Sequence, residues 1–239
     1  MGLRAVILAG GKGTRLAPYT TVFPKPLMPL DDTPILEVVL RQLSACGFTH
    51  ATLAVGHLAE LVEAFFGDGS KFGMVLDYAR EERPLGTAGP LALIDGLTES
   101  FLLVNGDVLT TLDYGAFLDE HTASGAVASI STKMRTTRLD FGIVETDGSG
   151  DVTDYIEKPE HEHRVSMGIC AFSPGVLTYV QAGERLDFPD LIVRLVNVGE
   201  RVRAVPFDGY WLDIGRHDDF ALAQEEFSAL RDTFLPGDR

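Results

Sequence analysis

Apolar residues along this chain follow two rhythms. Short runs rich in Val, Ile, Leu, Ala and Phe occupy residues 3–9, 51–55, 74–78, 101–104 and 126–132, and have the length of buried strands. Between them, apolar positions recur three and four residues apart. In residues 34–46, Ile35, Leu36, Val39, Leu40 and Leu43 mark one helical face, and Gly47 stops it. Residues 58–66, 86–97 and 114–124 read as further helices. Alternation of this kind predicts an α/β fold of Rossmann-like type, with a mostly parallel central sheet flanked by helices. Ligands of such sheets sit at the carboxyl ends of the strands. The glycine-rich turn after residues 3–9 and the Asn105-Gly106-Asp107 turn after residues 101–104 both belong there.

The second half is less regular. Residues 141–145 and 152–156 flank Asp147-Gly148-Ser149-Gly150, a hairpin turn. Residues 166–172, 202–206 and 210–212 read as strands, Pro174 opens a short helix, and residues 188–199 and 218–230 read as longer helices. No repeat or linker appears. One domain spans 1–239, with a nucleotide-binding half (about 1–135) and a smaller, β-rich half (about 136–239).

Composition narrows the function. A net charge of −15 opposes nonspecific binding to nucleic acid or anionic membrane. It also makes Lys12, Arg15 and Lys25 conspicuous, because they locally oppose the global sign. Two cysteines, Cys46 and Cys170, make no disulfide framework and point to a reducing compartment. No signal-type segment precedes residues 3–9, and that run is too short to span a bilayer. A cytoplasmic protein is expected.

The densest chemistry lies in residues 3–29. The apolar run empties into Gly10-Gly11-Lys12-Gly13-Thr14-Arg15, and Lys25 stands between Pro24 and Pro26. Glycines after a strand let backbone N–H groups approach an anion, because no Cβ intervenes. The flanking prolines hold Lys25 stiff. A polyphosphate cradle follows, formed by Leu8, Ala9, Gly10, Gly11, Gly13 and Thr14, with three cations, Lys12, Arg15 and Lys25, aimed at it. The spacing fits neither the Walker nor the dinucleotide-binding pattern. Asp107 and Asp213, both after strand-like runs, are hard oxygen ligands suited to Mg²⁺ beside phosphates.

LAGGKGTRL followed by FPKPLMP resembles the opening of the sugar-1-phosphate nucleotidyltransferases, and later motifs extend the resemblance over nearly the whole chain. The resemblance implies their nucleotide-diphospho-sugar transferase fold and transfer of a nucleotidyl group from an NTP to a sugar 1-phosphate. Arg15, Lys25 and Asp107 would be catalytic, and Asp107 and Asp213 would hold Mg²⁺. Residues 81–89, including Glu81, Pro84, Gly86 and Thr87, would meet the base. Asn105, Gly142, Glu157, Lys158, Ser166 and Gly168 would surround the sugar phosphate, with Lys158 on its phosphate and Glu157 on its hydroxyls. Many relatives carry Asn where Ser166 stands.

Glu81 occupies a place where thymidylyl- and uridylyl-transferring relatives often have Gln. A carboxylate only accepts hydrogen bonds, and guanine presents two adjacent donors, N1–H and its amine. GTP is therefore the favoured nucleotide. The Pro-Leu-Gly-Thr-Ala-Gly-Pro run resembles that of mannose-1-phosphate guanylyltransferases, and the resemblance implies mannose or manno-heptose 1-phosphate as the acceptor. Thymidylyl, cytidylyl or uridylyl transfer to glucose 1-phosphate is the rival, and a catalytically inactive regulatory subunit is the alternative of another class. Family members form dimers or tetramers, so a homo-oligomer is expected. His161 and His163 read as parts of a solvated loop, Trp211 as core packing and His57 as structural.

Overall fold

The computed structural model describes residues 2–235. In chain order the elements are β1 (Leu3–Leu8), β2 (Pro29–Leu30), β3 (Thr33–Pro34), α1 (Ile35–Ala45), β4 (Phe48–Val55), α2 (Ala59–Phe66), β5 (Val75–Arg80), β6 (Phe101–Asn105), β7 (Val108–Thr110) and α3 (Tyr114–Ser124). Then follow β8 (Ala128–Arg138), β9 (Ile143–Thr146), β10 (Val152–Ile156), β11 (Glu160–Phe172), α4 (Phe188–Asn197), β12 (Val202–Pro206), β13 (Trp211–Asp213) and α5 (His217–Phe234). Seven strands form the central sheet in the order β12-β8-β11-β6-β1-β4-β5. All neighbours are parallel except β11, which runs antiparallel to both β6 and β8.

The period-two alternation explains the layering. Along β1, β6 and β11, Ala5, Ile7, Leu102, Val104, Ile169 and Ala171 face one layer, where α1 contributes Leu36, Val39 and Leu43, and α3 contributes Tyr114 and Phe117. The intervening Val6, Phe101, Leu103, Cys170 and Phe172 face the other, against Leu191 and Leu195 of α4. Each fully buried large side chain of this kind contributes about 1.5–3 kcal/mol of transfer free energy. A third cluster fastens α5 to the sheet's carboxyl side. Phe227 and Phe234 pack with Ile35 and Val38 on the second face of α1, with Leu109 of β7 and with Leu212 of β13.

Several elements differ from the sequence pattern. Residues 86–97 are not an α-helix but a short 3₁₀ turn at Gly89–Leu93. Gly86 has φ +83° and Gly96 φ +74°, both outside the helical region, so apolar spacing there reflects burial of a loop. The strand expected at 166–172 begins at Glu160 and pairs with an equally prolonged β8, from Glu160↔Arg138 to Phe172↔Ala128. β7 and β13 form a separate antiparallel pair with Asp213 opposite Val108. Beyond the sheet, β9 and β10 form an isolated two-stranded ribbon. Among the described residues no helix is long and apolar enough to cross a membrane.

Candidate active site

Three adjoining cavities open at the carboxyl end of β1. The first, about 300 Å³, is lined by Leu8, Gly10, Gly11 and Ala54 on one side, by Glu81, Pro84, Gly86 and Thr87 on another, and by Asn105 and Asp107 below. The second, about 260 Å³, shares Leu8, Thr87 and Asn105 with it and adds Ser166, Gly168, Leu103, Cys170, Phe188 and Pro189. The third, about 70 Å³, reaches from Leu8, Ala9 and Gly11 to Lys25, Pro26, Gly106 and Asp107. Together they make one cleft, and volumes of this order suit a small-molecule ligand.

The glycines keep this cleft open. A Cβ on Gly10 would stand 3.1 Å from Glu81 Oε1 and 3.1 Å from the Gly56 nitrogen. A Cβ on Gly168, whose φ is +74°, would lie 2.5 Å from Asn105 Nδ2. Gly13 adopts φ +59°, and its carbonyl accepts from Leu16 N at 2.8 Å and Thr20 Oγ1 at 2.7 Å. That turn leads into Thr14–Leu16 and carries Arg15 towards β13.

Four charges converge at the floor. Lys25 Nζ donates to Asp107 Oδ2, with both side chains mostly buried. The Ile214 amide donates to the Asp107 carbonyl at 3.0 Å, which sets Asp213 alongside. Arg15 reaches Asp213 from the other side: a Cβ on Gly215 would be 3.3 Å from both guanidinium nitrogens and from Asp213 Oδ2. Burial, then the Asp107 carboxylate, push the Asp213 carboxyl above the ordinary range, while Lys25 and Arg15 pull it back. Among the described residues no three His, Cys, Asp or Glu side chains cluster in a metal-holding group. Two carboxylates sharing repulsion fit a cation that takes few protein oxygens and completes its shell with phosphates and water.

Glu81 is half structural. Its Oε2 accepts from the Leu85 amide at 2.8 Å, which closes the loop over the first cavity. Burial raises its carboxyl above the ordinary range, and the Leu85 bond opposes that rise.

The cradle, the loop at 81–87, Asn105, Ser166, Gly168 and the two aspartates thus come together from segments far apart in sequence. Gly142, Glu157 and Lys158 line none of these three cavities, and neither do Arg15 and Asp213, which join the site through Lys25 and Asp107. The first three flank the β9–β10 ribbon: Gly142 precedes β9 and lies against the Tyr155 phenol, and Glu157 and Lys158 follow β10, paired at 3.8 Å. β9 and β10 pair with each other, and the Leu139 amide donates to the Pro159 carbonyl at 3.1 Å at the base of the ribbon. Lys12 is exposed. Trp211 is partly buried against the core and donates to the Met167 carbonyl at 3.0 Å, a packing role.

The sequence pattern missed the apolar wall of the second cavity. Leu103 and Cys170 read only as strand core, although period two places them on the sheet face that the cavity uses. Phe188 and Pro189 arrive from the start of α4, about a hundred residues beyond the loop they meet, and no local signal marks them.

A nucleotidyl transferase family model matches residues 4–229. A UTP–glucose-1-phosphate uridylyltransferase of Synechocystis is 36% identical, over 91% of this chain and 61% of its own length. A mannose-1-phosphate guanylyltransferase of Mycobacterium tuberculosis is 34% identical, over 90% of this chain and 62% of its own. The chain therefore spans about three-fifths of the length of these curated relatives. A Bacillus anthracis protein solved in complex with a sucrose shares the fold, with a TM-score of 0.75 at 24% identity and 94% of each chain covered. With its glycine turn, its paired aspartates and a family match running almost end to end, the chain belongs to the nucleotidyl transferase family.

Proposed function

We propose that this chain transfers a nucleotidyl group from an NTP, with GTP preferred, to mannose 1-phosphate or a manno-heptose 1-phosphate, releasing pyrophosphate. The carrying observation is the floor of the cleft, where Lys25 and Arg15 stand against Asp107 and Asp213. The attacking phosphate oxygen is already ionised near neutral pH, so no side-chain base is required. The obstacle is repulsion between two polyanions, and catalysis reduces to alignment and charge neutralisation. Lys25 and Arg15 supply fixed positive charge to the triphosphate. Asp107 and Asp213 would hold Mg²⁺, which when bound neutralises phosphate oxygens. Glu157 and Lys158 are assigned to the sugar phosphate by resemblance alone.

Guanine is favoured by a carboxylate, Glu81, in the wall of the first cavity. Each carboxylate oxygen has two acceptor sites, so the bond from Leu85 leaves capacity for guanine N1–H and its amine. The Synechocystis relative supports a second reading, uridylyl transfer to glucose 1-phosphate. Incubating the chain and Mg²⁺ with each NTP against each sugar 1-phosphate, read by product mass, decides between them. GDP-mannose or a GDP-heptose as the dominant product is expected. Dominant UDP-glucose would overturn the Glu81 argument, and no NDP-sugar from any pair would overturn the transferase proposal.

A further inference from the structure

The loop that walls the first cavity is held by a segment about a hundred residues away. Arg83 Nη2 donates to the Gly183 carbonyl at 2.8 Å, and Leu186 N donates to the Leu85 carbonyl at 2.9 Å. The Leu186 carbonyl accepts from Ala88 N at 2.9 Å and Gly89 N at 3.0 Å. Segment 183–186 is itself anchored, because Glu184 pairs with Arg194 of α4 at 2.6 and 3.0 Å. Phe188 is anchored by its ring, 6.3 Å from that of Phe172.

At the centre of this clasp lies an exchanged cap. Asp187 occupies the N-cap position of α4, where an Asp side chain normally accepts from its own helix. It makes no such bond. Its Oδ1 accepts instead from the Thr87 amide at 3.2 Å, and the Thr87 hydroxyl accepts from Phe188 N, the first amide of α4, at 2.7 Å. Thr87 lines both larger cavities, while Phe188 lines the second. The exchange therefore fixes the partition between the two.

We infer that Asp187 is a positioning residue: acting through the Thr87 amide, it holds the wall shared by the two cavities, so that the nucleotide and the sugar phosphate are bound in register. Touching neither cavity itself, it acts on both ligands at once. The effect on ligands rests on the transferase proposal above; the effect on the loop does not.

Two variants and two measurements test it. Asp187→Ala removes the acceptor, whereas Asp187→Asn retains an oxygen able to accept from Thr87. In steady-state pyrophosphate release, Asp187→Ala should raise KM for both the NTP and the sugar 1-phosphate by roughly tenfold, the weight of one hydrogen bond to a charged group, with kcat less affected. Asp187→Asn should restore both KM values to near wild type. Amide hydrogen exchange on the substrate-free protein should be faster at residues 83–89 in Asp187→Ala, and unchanged in β1 and β4. Unchanged exchange at 83–89 would overturn the clasp whatever the turnover. So would a KM rise in only one substrate, or equal damage from both variants. A wild-type chain inactive with every substrate pair would overturn the transferase proposal, while the exchange result would still decide the clasp.

Discussion

Replacing Lys25 by Met tests the charge set at the floor of the cleft most directly. Met nearly matches the lysine stem, so packing beside Gly13 survives and only the charge is lost. The Lys25 and Asp107 side chains are 12% and 24% exposed, so their pair is neither fully desolvated nor freely screened. Hydrogen bonds to charged groups contribute about 1.5–3 kcal/mol at such sites, below the 3–5 kcal/mol of breaking a wholly buried pair. Asp107 is then left beside Asp213 with Arg15 as the remaining cation. For a chain of this size a loss of about 2 kcal/mol lowers Tm by roughly 4–8 °C. On the rate, losing one preorganised charge that acts on the transition state costs about 10²–10³-fold. Differential scanning calorimetry and pyrophosphate release on the same preparation separate the two effects. Lys25→Met with Asp107→Asn removes both partners and should regain much of the stability lost by the single variant, but none of the rate. A folded Lys25→Met with a near-wild-type rate would refute catalytic charge neutralisation. A double variant no more stable than Lys25→Met would refute the ion pair as the source of the loss.

Gly86→Ala puts a Cβ 2.6 Å from the Leu186 carbonyl at φ +83°; the left-handed backbone alone costs about 1–2 kcal/mol. A lower thermal midpoint and a smaller NTP-induced shift should follow in a thermal-shift assay, and an unchanged shift would refute the loop's role. Gly168→Ala displaces the Asn105 side chain from the wall between the cavities, and KM for the sugar 1-phosphate should rise in a protein that calorimetry finds folded. His121 is buried, accepting or donating to Ser129 Oγ at 2.9 Å and Ser173 Oγ at 3.1 Å, and burial, then Arg203, hold its pKa below the ordinary range. Below about pH 6.5 the unfolded chain therefore binds the proton that the folded one resists. Stability from this group is present in full above that pH and is lost as pH falls through it, and His121→Gln should flatten that part of a Tm-against-pH curve.

Local signals carried much of the fold. Short continuous apolar runs foretold β1, β4, β6 and the core of β11, because a strand with two buried faces needs apolar residues at every position. Spacing of three and four foretold α1 and α3, because one stripe of a helix must meet the sheet. Residues 86–97 misled, since the same apolar spacing served a buried loop whose positive-φ glycines forbid a helix.

By itself the sequence determined that a glycine-rich turn follows β1, because glycines after an apolar run leave no Cβ to crowd the chain where it leaves the sheet. It likewise marked Arg15 and Lys25 as cations for phosphate and Asp107 and Asp213 as hard oxygen ligands, each as a separate chemical type. Only the tertiary structure decided that Arg15, Lys25, Asp107 and Asp213 stand together, while Glu157 and Lys158 follow β10 and line none of the three cavities. It alone revealed Phe188, Pro189 and the exchanged cap at Asp187. Contacts of that kind depend on which strands become neighbours, and strand order follows from burial of the whole sheet rather than from any local run of residues.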